Sequence, residues 1–384
     1  MHVLIVNYAY DAGLKTADDL LCRYYILRGW VDGLLAAGAR VTVLQRFARD
    51  TSLENQGAAY HFVADAHGPR LRPWQVPFPL HHRLRRICAQ GRKRHQPLVV
   101  HVNGLLFPLP TRLLHRALRG DGILVAQHHA ERPWSGLRRV LQRWGLAPVD
   151  GFFFAARQLA AEWIEASIIR SPRTVHQVME AGSPLQYQPR AAARAITGLH
   201  GAPVILWTGN LNPNKDPLTI LAGVETILEK APQAHLYMAY RYDDLLPQVK
   251  ARIASSEGLR SAVTLLGPVP FDQIAAYYNS ADIFVQGSAK EGSGLALLDA
   301  MACGVVPVVT DIPSFHAITD GGRIGALWTV GDPTAFAAAL LDVVRRPLEP
   351  ASAQARRFFR ENWSFPAIGR RALEAYDAIW RTRS

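Results

Sequence analysis

The feature that most constrains this chain is a repeated change of hydrophobic period. Short, continuous apolar runs alternate with longer segments of helical spacing. In the first half, HVLIVN (2–7), RVTVLQ (40–45), PLVVHV (97–102), ILVAQHH (123–129) and GFFFAA (151–156) read as buried strands. Helical patterns cover 16–37, 110–118 and 157–166. In the second half, VILWTG (204–209), HLYMAY (235–240), VTLLG (263–267), DIFVQG (282–287) and VVPVVT (305–310) alternate with helical patterns at 217–230, 271–279, 294–303 and 333–345. Strands separated by helices require crossover connections, so the expected class is α/β with parallel sheets.

The rhythm lapses at 189–203, PRAAARAITGLHGAP, which reads as a connection between domains. The expected division is 1–188 and 189–365, two Rossmann-like doubly wound domains. A closing helix, 366–384, carries Ile368, Leu373, Tyr376 and Trp380 and is expected to pack back on the first domain. A length of 384 residues suits two such domains. Doubly wound sheets bind ligands at the carboxyl ends of their strands, and a cleft between the two domains is the natural active site.

Composition excludes several classes. No apolar run approaches the ~18 residues of a membrane span. The opening MHVLIVNYAYDAG is too short and too weakly basic for a secretory signal. Cys22, Cys88 and Cys303 fit neither a disulfide framework nor a zinc site, so a cytoplasmic location is expected. The net charge of +12 is uneven: residues 1–184 hold 24 Lys/Arg against 13 Asp/Glu, and residues 185–384 hold 19 against 18. An anionic surface or ligand is therefore expected to face the first half.

Two strand–loop–helix units in the second half carry candidate chemistry. In AKEGSGLALLDAMACGVVPVV (289–309), Gly287 closes a strand, Ser293 is a suitable N-cap, and Gly292 and Gly294 permit close approach to the backbone. The free N–H groups there suit a phosphate. Glu291 precedes the helix and Asp299 lies within it. In one reading a nucleotide sugar sits there, one carboxylate binding its sugar hydroxyls and the other its ribose hydroxyls. The alternative is a solvated Glu291 and an Asp299 paired with an arginine. In WTGNLNPNKDP (207–217), a strand ends at Gly209 and Lys215 follows in the loop, where it is either a phosphate cation or simply solvated.

These stretches, with LLGPVPFDQIAAYYNSADIFVQGS and GALWTVGDPTAFAAALLDVV, resemble in order and spacing the second domain of GT-B glycosyltransferases, most closely the retaining family GT4. The likeness covers nearly all of 204–345 and runs more weakly through the first half. It implies that Glu291 contacts the donor sugar and that Asp299 holds the ribose, one methylene shorter than the family's glutamate. It implies that Lys215 binds the diphosphate, with Asn210 where an arginine is usual and Asp216 where glycine is frequent. Gly294 and Leu295 match backbone positions facing the diphosphate, beside Gly292 and Ser293. Gly267 to Val269 match a turn that meets the base. Gly13 matches the first-domain phosphate loop, although the second glycine there is Ala12. His129 matches a strand-end histidine near the anomeric carbon, with His128 as competitor and a structural role as the alternative.

The resemblance implies a glycosyltransferase that moves a sugar from a nucleoside-diphosphate sugar to a hydroxyl acceptor with retention of configuration. No cofactor is implied. No Asp-x-Asp occurs, so a metal-independent reaction is expected. The segments 70–95 and 134–146 mix Arg and Lys with Trp and Leu and contain no acid. They predict either a solvated basic face or peripheral attachment to the anionic inner face of the plasma membrane, where a glycan or lipid-linked acceptor would lie. The rival readings are a GT-B nucleotide-sugar epimerase, a non-catalytic sugar-nucleotide-binding protein, and a nucleic-acid binder. Charge alone supports the last, so no nucleic acid is expected. G-x-S-x-G, G-x-G-x-x-G and P-loop patterns are absent.

Overall fold

The computed structural model describes residues 1–93, 96–118 and 120–383. The chain forms two compact units: Met1–Gly182 with Phe365–Ser384, and Ser183–Ser364. The last two residues of the basic stretch 70–95 lie outside the described residues.

Unit 1 contains β1 (His2–Asn7), α1 (Ala17–Arg23), α2 (Tyr25–Ala36), β2 (Arg40–Arg46), β3 (Thr51–Asn55), β4 (Ala58–Val63), α3 (Phe78–Lys93), β5 (Leu98–Asn103), α4 (Pro108–Leu118), β6 (Gly122–Gln127), α5 (Gly136–Leu146), β7 (Gly151–Phe154), α6 (Ala161–Glu165) and β8 (Val175–Gln177). The strands form one sheet in the order β3-β4-β2-β1-β5-β6-β7-β8, parallel except for β3. The segment expected as one helix, 16–37, is two. Thr16 and Asp19 cap α1 reciprocally, and Tyr24 leaves helical geometry between α1 and α2.

Unit 2 contains α7 (Arg190–Thr197), β9 (Val204–Gly209), α8 (Pro217–Leu228), β10 (His235–Tyr240), α9 (Leu246–Ala254), α10 (Glu257–Ala262), β11 (Val263–Gly267), α11 (Ile274–Ser280), β12 (Ile283–Gln286), α12 (Leu295–Ala302), β13 (Val306–Thr310), α13 (Pro313–Ile318), β14 (Ala326–Trp328), α14 (Pro333–Val344) and α15 (Leu348–Asn362). Its sheet order is β11-β10-β9-β12-β13-β14, parallel throughout. The segment 189–203 differs from a plain connection. It contains α7, which packs on α11. Arg190 and Arg194 fasten it to Asp282 at 3.1 and 2.7 Å.

The chain then enters α16 (Phe365–Arg383), which packs on α2 in unit 1. Glycines set this contact: a Cβ on Gly33 would meet the Phe365 carbonyl at 2.1 Å, and one on Gly369 would meet the Gly33 carbonyl at 2.1 Å. The Tyr376 hydroxyl reaches His101 Nδ1 at 2.6 Å beneath the sheet.

Candidate functional site

Each sheet reverses its strand order at one place. In unit 2 this is at β9, which has β10 on one side and β12 on the other. In unit 1 it is at β1, between β2 and β5. Loops leaving the carboxyl ends of such strands diverge and leave a crevice.

At the unit 2 reversal, the loops after β9 and β12 are joined by Asn214. Its Nδ2 donates to the Lys290 carbonyl at 3.0 Å, its Oδ1 accepts from the Lys290 N–H at 3.1 Å, and its carbonyl accepts from the Ala289 N–H at 2.9 Å. This clasp brings Lys215 Nζ to 2.5 Å from Glu291 Oε1, with both side chains about one-sixth exposed (17% and 16%). The two residues expected to hold phosphate and sugar are thus an ion pair. Asp216, where glycine was expected, adopts φ +42°. Its side chain offsets this by accepting the Thr219 N–H as the cap of α8.

The helix after Glu291 starts later than expected. Its N-cap is Gly294, not Ser293, at φ +57° with no side-chain cap, and α12 begins at Leu295. A Cβ on Gly294 would lie 2.9 Å from Phe315. The backbone N–H groups of the first turn therefore emerge without a side-chain acceptor of their own.

Asp299 lies in the second turn of α12. It is not paired with an arginine; its partner is the Ser183 hydroxyl. Its Oδ1 is buried without a hydrogen-bond partner. Burial pushes its carboxyl up from 3.8 to about 7, and the Ser183 contact only partly opposes this. Gly209 ends β9, followed by Asn210, whose carbonyl accepts the Asn212 N–H at 2.8 Å. Gly267 ends β11 at φ +71°, with Val269 beyond it, on the strand farthest from β12 on that side of the sheet. Gly292 is buried and Ser293 and Leu295 are half-buried.

In unit 1, β1 and β5 both end in asparagine. Asn103 Nδ2 donates to Asn7 Oδ1 at 2.5 Å, and Asn103 Oδ1 lies 3.3 Å from His129 Nε2. His129 Nδ1 is 2.8 Å from Glu180 Oε2. Partial shielding from water alone would lower the His129 pKa, but the Glu180 carboxylate, with Glu131 behind it, outweighs this and raises it. The competing His128 is buried, stacked 4.6 Å from Phe154, with Nε2 on the Glu131 carbonyl. It packs, whereas His129 is 40% exposed and the more accessible of the two. Gly13 lies in the loop after β1, where its N–H is taken by Asp11 Oδ1 at 2.9 Å.

Sequence reasoning misses Asn7, Asn103, Glu180, Asn214 and Ser183. The shared V-N ending of two adjacent strands is a signal for the first two; the others have none. Among the described residues, no group of three or more His, Cys, Asp or Glu is placed to hold a metal.

With this geometry established, the fold class is GT-B. Over 98% or more of the chain, solved structures of similar architecture include sucrose-phosphate synthase from Thermosynechococcus elongatus (TM-score 0.67, 18% identity, 100% of that chain) and Anabaena HepE in complex with UDP (TM-score 0.68, 13% identity, 100% of that chain). Residues 202–346, the greater part of unit 2, match the family described as Glycosyl transferases group 1, and the chain resembles family GT4. Among curated relatives, D-inositol 3-phosphate glycosyltransferase of Thermobispora bispora is 29% identical over 207 residues, 50% of this chain and 48% of that one. A GDP-mannose:cellobiosyl-diphosphopolyprenol alpha-mannosyltransferase of Xanthomonas oryzae is 26% identical over 258 residues, 64% of this chain and 67% of that one. The chain spans about half the length of the first of these relatives.

Proposed function

We propose that this protein transfers a sugar from a nucleoside-diphosphate sugar to a hydroxyl acceptor, with retention of configuration. The observation that carries this reading is the Lys215–Glu291 pair, clasped by Asn214 at the strand reversal of unit 2. A diphosphate offers Lys215 a stronger anionic partner and releases Glu291 to accept donor-sugar hydroxyls. The N–H groups at the start of α12 add donors to the same phosphates. The unpartnered Oδ1 of Asp299 suits a ribose hydroxyl.

In the reaction, the bond from the anomeric carbon to the phosphate oxygen breaks and its electron pair leaves on the diphosphate. The acceptor oxygen bonds to that carbon on the same face, and its proton passes to the leaving phosphate oxygen. The protein supplies positioning and stabilises the departing charge. We assign His129, held by Glu180 and Asn103, a catalytic role in the transfer. The names of the two relatives favour a polar cyclitol or a lipid-linked glycan as acceptor class.

The test is a thermal-shift panel of UDP-, GDP- and ADP-sugars, followed by assay of nucleotide release and glycosylated product. Stabilisation by one nucleotide series, with transfer abolished in Glu291→Ala, supports the reading. Stabilisation without transfer to any hydroxyl acceptor favours the non-catalytic reading, for which Asn210 and Asp299 are the motivating departures. Stabilisation by no sugar nucleotide overturns it.

A further inference from the structure

The helix layer on one face of unit 1 carries basic and apolar surface that includes none of the candidate site residues. Between residues 66 and 149 the sequence holds fifteen Lys/Arg against two carboxylates, Asp121 and Glu131. α3, α4 and α5 pack side by side there, and none of the three contains an acid.

α5 is the decisive element. It buries Gln142, Gly145 and Leu146. Gly145 packs so closely on α4 that a Cβ would lie 2.3 Å from Pro108, and Gln142 Nε2 donates to the Leu105 carbonyl at 3.0 Å. These contacts fix the helix's rotation. At about 100° per residue, Leu137, Val140 and Trp144 then form one stripe opposite the buried face. Leu137 is 90% exposed, and Val140 and Trp144 are exposed too. Arg143 borders the stripe, Arg138 and Arg139 are exposed further round the helix, and the Arg112 guanidinium stacks 4.3 Å over Trp144.

The loop before α3 adds exposed Trp74, with Arg72 over its ring, and α3 opens on exposed Phe78. Both α3 and α5 follow a strand and run back along a parallel sheet, so their first residues lie at its carboxyl end. Trp74, Phe78 and Leu137 therefore sit at the end of the sheet from which His129 emerges.

We propose that this face is a docking surface for an anionic lipid bilayer, with α5 lying in the interface plane. The apolar stripe enters the headgroup–acyl boundary, and the arginines meet lipid phosphates. A second copy of the chain fits poorly, because pairing the stripes would oppose like-charged arginines. The inference stands on unit 1 alone and does not depend on sugar transfer.

The test is co-sedimentation of the full chain with phosphatidylcholine vesicles, with and without phosphatidylglycerol. Binding to the anionic vesicles at low salt, loss at high salt, and quenching of tryptophan emission by brominated lipid are expected. Leu137→Asp with Val140→Asp should weaken partitioning about tenfold or more. The substituted positions are exposed, so the melting temperature should hold. A second variant, Trp74→Ala with Phe78→Ala, should also weaken it with no change in melting temperature. No pelleting with anionic vesicles at low salt overturns the proposal, as does pelleting unaffected by both variants. So would a dimer that Leu137→Asp dissociates, or retention on single-stranded RNA that exceeds vesicle binding and ignores both variants.

Discussion

Lys215 Nζ and Glu291 Oε1 lie 2.5 Å apart although 76 residues separate them in sequence. One side chain leaves the loop after β9 and the other the loop after β12, and each is mostly shielded from water. The pair makes the two loops a single unit, so a change at one should be felt at the other. In a double-mutant cycle of Lys215→Met and Glu291→Gln, thermal or denaturant unfolding should show a coupling of about 1–2 kcal/mol. Each single change should lower sugar transfer about 10²-fold or more, and Lys215→Met should weaken sugar-nucleotide binding as well. Additive stability effects would remove the coupling.

Asp299 makes a pH-dependent prediction. Its carboxyl is held near 7 in the folded protein by burial, against an ordinary 3.8. The folded state therefore keeps a proton that the unfolded chain has already released, and this residue's contribution to stability falls as pH rises from about 4 to about 7. Asp299→Asn should match the parent near pH 4 and melt higher near pH 8. Affinity for a sugar nucleotide should rise with pH in the parent, as the carboxylate forms, and this rise should be absent in the variant. Melting curves and titration calorimetry at pH 5 and pH 8 read both effects.

His129 titrates in the opposite sense. Partial shielding from water opposes its charge, but Glu180 at 2.8 Å more than compensates, so its pKa is raised above 6.5. The stabilisation from this pair is fully present below the ordinary histidine range and is lost as pH climbs through the raised value. Glu180→Gln should move the His129 ring resonances to a lower titration midpoint and shift any basic limb of the activity profile with them. An unmoved midpoint would remove Glu180 as the residue that sets His129's charge.

Gly294 is a local test of the start of α12. At φ +57°, with Phe315 2.9 Å from where a Cβ would stand, Gly294→Ala combines backbone strain with a clash. A loss of about 1–3 kcal/mol is expected, with sugar-nucleotide binding falling further than stability alone explains. Gly331→Ala, at φ +73° with nothing within 4 Å, should show the strain without the binding defect.

Much of the fold is legible in the sequence because buried parallel strands are continuous apolar runs. HVLIVN, VILWTG, HLYMAY and VTLLG coincide with β1, β9, β10 and β11. The β3–β4 hairpin is missed because β3 is a partly exposed edge strand and β4 is only alternately buried, so neither makes such a run. Its turn, with Gln56 and Gly57 both at positive φ, is the one signal available. α3 and α5 read first as basic stretches because their buried faces are narrow: Leu80, His81, Leu84, Cys88 and Gly91 of sixteen residues in one, and only Gln142, Gly145 and Leu146 in the other. Lys215, Glu291 and Asp299 stand out because each follows a recognisable strand end. Glu180 and Asn103 reach His129 only through the lateral order of β5, β6 and β8, which no local pattern encodes.

The return of α16 to unit 1 bears on how the chain is made. Unit 2 is one unbroken stretch, whereas unit 1 is split, and α16 is translated only after unit 2. On the ribosome, Ser183–Ser364 can emerge whole while the glycine seam on α2 still waits for Phe365–Arg383 to fill it. Nascent chains arrested before residue 365 should therefore expose the bare flank of α2 to chaperones and proteases.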